Sequence, residues 1–237
     1  ISAMVLNKDT RILVVAAHPD DEVLGCGGTI IKAINCGAVV KVVFLGEGVS
    51  ARFPFGEYNS ENFVNESNIR QKEAKKALKV LGVKHSYFGD RLCVQFDTVP
   101  HLTLVKEIEG HIKSFNPTVL FTHNPSEVNI DHRLTYEAVE SACRPTNRPE
   151  TPDEIYTFEI ICSGNYKFSP FFTPNVFVDI SNVWDIKIKA WKCYEKESRP
   201  FPFPRSIEGL EILSGYRGIA SGMKKVEAFG LARMIIR

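Results

Sequence analysis

Arg11-Ile12-Leu13-Val14-Val15-Ala16-Ala17 runs directly into His18-Pro19-Asp20-Asp21-Glu22. The first half is short, continuous and apolar, with β-branched residues and no polar alternation. A strand of that kind is covered on both faces, as in a parallel sheet, because a half-solvated strand alternates with period two. The second half crowds an imidazole and three carboxylates into five positions at the strand's end. A glycine-containing turn follows, then a helical stretch from about Cys26 to Asn35 that ends near Gly37. Val39-Val40-Lys41-Val42-Val43-Phe44-Leu45 is a second buried strand.

The alternation continues along the chain. Ser67 to Leu81 has helical spacing, with Ile69, Ala74, Ala77, Leu78 and Leu81 on one face and Gly82 as its stop. Strands are expected at His85–Phe88, Thr118–Thr122, Ile155–Ile161 and Val176–Ile180. Helices are expected at Pro100–Phe115, Asp131–Cys143, Val183–Lys196 and Ile207–Phe229. The last two are separated by Arg199-Pro200-Phe201-Pro202-Phe203-Pro204. Gly46 to Asn65 shows no period and is expected to be a loop of functional length. Strands alternating with helices predict an α/β fold with a mainly parallel sheet. Such sheets bind ligands beyond the carboxyl ends of their strands. No linker divides the chain, so residues 5–237 are expected to form one domain; Ile1-Ser2-Ala3 ahead of Met4 is expected to be a cloning remnant.

Composition excludes several partners. A formal net charge of +1 gives no electrostatic reason for a nucleic-acid or anionic-membrane partner. No stretch approaches the length of a membrane span, and no N-terminal apolar signal region is present. The six cysteines form no C-x-x-C pair and sit mostly among apolar residues, as free thiols of a reducing compartment do. The expectation is a cytoplasmic protein. Apolar residues in the last helices leave a homo-oligomer open.

The crowding at His18 to Glu22 calls for a divalent cation, which neutralises carboxylates and accepts imidazole nitrogen and carboxylate oxygen together. Helix capping accounts for Asp20 or Asp21, and leaves His18 unexplained. A second polar segment, Asn129-Ile130-Asp131-His132-Arg133, follows the strand that ends at Thr122. His18, Asp21 and His132 together make a two-histidine, one-carboxylate site with open positions, the pattern of catalytic and not structural metal sites. The same set accepts Zn2+ or Fe2+. Nucleotide binding is the rival reading, because Gly25-Cys26-Gly27-Gly28 opens a helix after a strand and Glu47 follows the second strand. Against it, the third fingerprint position is Ile30, and negative charge occupies the place where a pyrophosphate needs donors. The plain role of these glycines is close packing of the first helix on the sheet.

Ala17-His18-Pro19-Asp20-Asp21-Glu22 and, after an interval, Asp131-His132 resemble the paired motifs of the LmbE-like, or PIG-L, deacetylase family. Arg70, Phe88-Gly89-Asp90-Arg91, Arg217-Gly218 and Val226-Glu227-Ala228-Phe229 extend the resemblance. It implies a Rossmann-like three-layer sandwich and removal of N-acetyl from an acetamido sugar with zinc. It further implies His18, Asp21 and His132 as metal ligands, Asp20 as general base and Asp131 as a supporting carboxylate beside the third ligand. Arg70 and Asp90 match positions that face substrate. One departure stands out: many relatives have His-x-Asp-His where this chain has Asn129-Ile130-Asp131-His132. Asparagine donates a hydrogen bond but is no acid at neutral pH. Asn129 is therefore expected to hold the oxyanion, with Asp20 or His123 as acid. Gly46–Asn65, Ser163–Thr173 and the proline-rich stretch near Pro202 are expected to wall the pocket, with Arg52, Tyr58, Tyr166 and Lys167 in reach of a ligand. Other readings are a zinc amidase for a non-sugar amide or thiol conjugate, and a non-catalytic metal- or nucleotide-binding protein.

Overall fold

A computed structural model describes residues 6–145 and 150–236; the three residues expected to be a cloning remnant lie outside them. The strands are β1 (Arg11–Ala16), β2 (Val39–Gly46), β3 (His85–Arg91), β4 (Val119–His123), β5 (Glu154–Phe158), β6 (Val176–Asp179) and β7 (Val226–Met234). The helices are α1 (Asp21–Asn35), α2 (Glu61–Leu81), α3 (His101–Phe115), α4 (Ile130–Ala142), α5 (Trp184–Trp191) and α6 (Ile207–Ile219).

The strands form one seven-stranded sheet in the order β3-β2-β1-β4-β5-β7-β6. Neighbours from β3 to β5 pair in parallel, and β7 runs antiparallel to both β5 and β6. The mainly parallel α/β sheet expected from the alternation is what the structure has. Successive residues of β1 explain its layers. Ile12, Val14 and Ala16 enter a core on one face, with α1, α2 and α5. Leu13, Val15 and Ala17 enter a second core on the other, with α3 and α4. Chain order reverses between β1 and β4, so their carboxyl ends open a crevice. His18 to Glu22 leave one lip of that crevice and His123 to His132 the other.

The glycines of α1 do pack closely. A Cβ on Gly25 would lie 2.5 Å from the Phe158 ring of β5, and one on Gly28 would lie 2.6 Å from Ile180. The helix breaks at Cys26 (φ −148°, ψ 19°). A buried ion pair repairs the break. Lys187 Nζ donates to Leu24 O (3.1 Å), while Glu227 accepts from Gly28 N, Thr29 N and Thr29 Oγ1 at 2.7 Å and from Lys187 Nζ at 2.6 Å. The first helix therefore begins at Asp21, with the break near its expected start.

Three other expectations change. Helix α2 starts at Glu61, inside the expected loop, because Ser60 Oγ caps Phe63 N at 3.2 Å. Helix α5 stops at Trp191, short of Lys196. The stretch expected to continue the last helix to Phe229 is instead strand β7, which starts at Val226. Gly222, at φ +71°, lies between the two, and β7 gains ladder partners on both sides.

Candidate metal centre

His18 leaves the end of β1, Asp21 opens α1, and His132 sits in the first turn of α4. Their ligand-capable atoms all lie within 4.8 Å of one another, and all three side chains are buried. Asp21 Oδ1 is buried without a hydrogen-bond partner and lies 3.5 Å from His132 Nε2. A buried carboxylate oxygen lacking a donor is costly, and a cation between these atoms resolves it. Burial opposes ionisation of Asp21, yet His132 and His123 beside it hold its pKa below the usual carboxylate range. Burial lowers His132 to about 4, so its ring is neutral, the form that binds a metal.

Tautomers follow from the outer partners. His132 Nδ1 lies 3.0 Å from Glu127 Oε2; with Glu127 ionised, Nδ1 carries the proton and the Nε2 lone pair faces Asp21. Glu127 is fully buried and also accepts from Asn124 Nδ2 (2.9 Å) and Ile160 N (3.0 Å), both at Oε1. His18 Nε2 lies 2.8 Å from Asp131 Oδ2, which leaves Nδ1 on the side of Asp21. Asp131 further accepts from Phe96 N (3.0 Å) and Val94 N. Asp131 was expected beside His132, but its carboxylate supports His18. Consecutive helical residues point about 100° apart, so His132 faces Asp21 while Asp131 faces the loop after β3.

Asp20 has φ 124° and ψ −29°, a conformation that costs a residue with a side chain roughly 1–3 kcal/mol. The surroundings hold it there. Asp20 N donates to Glu22 Oε2 (3.0 Å), Tyr194 Oη donates to Glu22 Oε1 (2.6 Å), and Arg70 donates to Pro19 O (3.0 Å). Burial lifts Glu22 to about 8. Burial also raises the Asp20 pKa, against the pull of Arg205 and Arg70. The loop after β2 presses on the same turn. Gly48 has φ +84°, and a Cβ there would lie 3.2 Å from Pro19 Cδ and 3.3 Å from His18 Cβ.

The remaining expected residues separate. Arg70 is buried behind Asp20 and bonded to Glu197 as well as Pro19, so it serves the turn and presents no face to a ligand. Arg52, in the short 3-10 turn Ser50–Arg52, is partly exposed and ion-paired with Glu197. Asp90 is exposed near the carboxyl end of β3. Asn129 caps α4, with Oδ1 accepting from Asp131 N at 2.9 Å, which leaves its amide nitrogen as a donor. His123 is fully buried; its Nε2 accepts from Ala17 N (2.9 Å) and its ring stacks on His132 at 4.0 Å. An acid that meets a leaving amine needs an open face, and His123 has none. Glu47 is occupied by Val49 N (2.7 Å), Ser50 N (3.1 Å) and Cys93 N (3.0 Å), a turn-holding role in place of the ribose contact of the nucleotide reading. Sequence reasoning missed Glu127, Glu197 and Arg205. Glu127, five positions before His132, had a signal in a carboxylate so close to a histidine ligand.

The chain resembles known proteins over most of its length. The PIG-L family model, described as GlcNAc-PI de-N-acetylase, matches residues 13–143. The diacetylchitobiose deacetylase of Thermococcus kodakarensis is 30% identical over 93% of this chain and 82% of its own length. The 4-oxalmesaconate hydratase of Pseudomonas putida is 26% identical over 95% of this chain and 89% of its own. Among solved structures, the N,N'-diacetylchitobiose deacetylase of Pyrococcus horikoshii superposes with a TM-score of 0.73 at 24% identity, covering 95% of this chain and 86% of that one.

Proposed function

The chain belongs to the PIG-L family, and on that premise we propose that it is a metal-dependent hydrolase removing the N-acetyl group from an acetamido sugar or its conjugate. The observation that carries the reading is the partnerless, buried Asp21 Oδ1 facing His132 Nε2, with Asp20 next in the chain. His18, Asp21 and His132 would hold the ion. Zinc suits two imidazoles and one carboxylate, and Fe2+ suits the same donors. The metal supplies polarisation of the amide carbonyl and a lowered pKa for the attacking water.

The chain's own residues do the rest. Asp20 Oδ2 is tied to Arg205 and Arg70, so Oδ1 is the oxygen that takes the proton of the attacking water. As the C–N bond breaks, the same carboxyl returns that proton to the amine nitrogen, giving acetate and a free amino sugar. The Asn129 amide nitrogen donates to the developing oxyanion. With His123 sealed in the core, Asp20 carries both proton steps. Cys26, Cys36, Cys93, Cys162 and Cys193 are free thiols, which suits a reducing compartment, and a cytoplasmic location is part of the proposal. No helix among the described residues is long and apolar enough to cross a membrane.

The test is acetate release from a panel of N-acetylglucosamine, N,N'-diacetylchitobiose, N-acetylglucosaminyl conjugates, thiol-conjugate amides and simple amides. Acetamido sugars are expected to turn over, and stripping the metal to abolish it. Asp20→Asn is expected to lower kcat by roughly 10²–10⁴-fold. Full activity in stripped protein sinks the proposal, and preference for the thiol conjugate favours the amidase reading.

A further inference from the structure

Arg205 and Arg70 meet at Asp20, and Glu197 joins both of them to Arg52. Arg205, from the segment between α5 and α6, donates through Nη1 to Asp20 Oδ2 at 3.0 Å. Arg70 reaches the same oxygen at 3.4 Å. Buried Glu197 accepts from Arg70 and Arg52 at Oε1 and from Arg205 Nη1 at Oε2 (3.4 Å). The Arg205 backbone is itself fixed. Its carbonyl accepts from the Trp191 indole at 3.1 Å, and Ser206 caps α6 through Gly209 N at 2.9 Å. Among the described residues, every hydrogen bond to the Asp20 carboxyl arrives at Oδ2.

We propose that Arg205 is a positioning residue for Asp20, and that Glu197 holds Arg205 in place so that one oxygen of the carboxylate is pinned and the other is aimed at the reacting water. The argument rests on reading Asp20 as the base. A carboxylate has one torsion that decides which oxygen faces the reaction, and it turns freely when neither oxygen is held. Arg70 alone does not hold it, because its nearest approach is 3.4 Å and its Nη1 is shared with Pro19 O. Arg205 makes the shorter, charge-assisted bond. Glu197 prevents the three guanidiniums from repelling one another, and its two oxygens spread them apart. Arg205 and Glu197 both come from the α5–α6 segment, which supplies none of the three candidate metal ligands.

The assay uses the full-length, metal-loaded protein with N,N'-diacetylchitobiose as probe. Arg205→Ala is expected to lower kcat roughly 10–100-fold, the worth of a charge-assisted hydrogen bond. KM is expected to stay within about twofold, because the interaction acts on the proton step. Metal content stays at the wild-type value, and circular dichroism confirms the fold. Arg205→Lys recovers part of the loss, and added guanidinium chloride at millimolar concentration restores activity to Arg205→Ala. Glu197→Gln lowers kcat with the same unchanged KM. Wild-type kcat in Arg205→Ala overturns the proposal. So does a raised KM at unchanged kcat, which would make Arg205 a substrate contact. A loss that follows melting temperature and resists both guanidinium and lysine also overturns it, since that is a folding role. Asp20→Asn separates the two levels. If it stays fully active, the reading of Asp20 as base fails; if it is dead while Arg205→Ala is active, the role of Arg205 alone fails.

Discussion

Glu127→Gln isolates the outer support of the proposed metal site. In the wild type, Glu127 Oε1 accepts from Asn124 Nδ2 and Ile160 N, and Oε2 faces His132 Nδ1 at 3.0 Å. Glutamine keeps this shape. Its carbonyl oxygen replaces Oε1 and retains both donors, which puts its NH2 opposite His132 Nδ1. Two donors then face each other in a fully buried place. His132 relieves the conflict by moving its proton to Nε2, where the lone pair aimed at Asp21 disappears. Loss of such a support costs roughly 10–100-fold in metal affinity, about 1.4–2.7 kcal/mol. Alanine is the wrong probe, because three buried donors would lose their acceptor at about 1–3 kcal/mol each and the fold would suffer. The assay is competition for Zn2+ against a chromophoric chelator, with circular dichroism to confirm the fold. Nitrogen-15 shifts of His132 report the tautomer. A dissociation constant within about twofold of wild type, with Nδ1 still protonated, would refute the reasoning.

Other predictions follow from particular contacts. Gly48→Ala combines left-handed backbone strain with a Cβ at 3.2 Å from Pro19, whereas Gly56→Ala has the strain (φ +89°) and nothing within 4 Å. Thermal denaturation should show Gly48→Ala melting several degrees below Gly56→Ala, at roughly 2–4 °C per kcal/mol for a chain this size. Glu227→Gln leaves Lys187 buried without its counter-charge and should cost about 3–5 kcal/mol in chemical denaturation; adding Lys187→Met should recover part of that. Burial and Lys41 lower the His111 pKa. The folded ring is therefore neutral where the unfolded one takes a proton, so stability falls as pH drops below about 6.5. His111→Gln should flatten that slope in urea titrations, and an unchanged slope would remove His111 as its source.

The fold was legible where burial imposes a pattern. Residues 12–17 are apolar without interruption and 39–45 are apolar but for Lys41, because both faces are covered, and both became parallel strands. Val226-Glu227-Ala228-Phe229 was misread for an opposite reason. Glu227 looks like a solvent-facing helical residue, yet it is buried as the acceptor for a broken turn of α1. Its partners lie near residues 24–29 and at Lys187, so no window of neighbouring sequence contains the explanation. The start of α2 was missed because Phe63 and Val64 are the only apolar residues of its first seven, and the Ser60 cap sets it instead of an apolar stripe.

The same division runs through the site. His18 and Asp21 were legible together because a tight turn delivers both, with His18 N donating to Asp21 Oδ2 at 2.8 Å. His132 was legible because the crevice rule brings the β4–α4 junction to the end of β1. What could not be read is which carboxylate serves which histidine. Asp131 and His132 are adjacent in sequence and serve opposite halves of the centre, since the helix turns between them. Arg205 reaches Asp20 from about 185 residues away and Glu197 acts through Arg205; the proline-rich stretch beside them was expected to wall the pocket, but nothing local marks these two charges as its orienting residues. Atoms that bind a metal must share one small volume, and short turns at strand ends meet that demand with local motifs. Atoms that orient those ligands need buried hydrogen-bond partners, and burial of a charge depends on every element packed over it. The proposed ligands are thus written locally and their orientation globally.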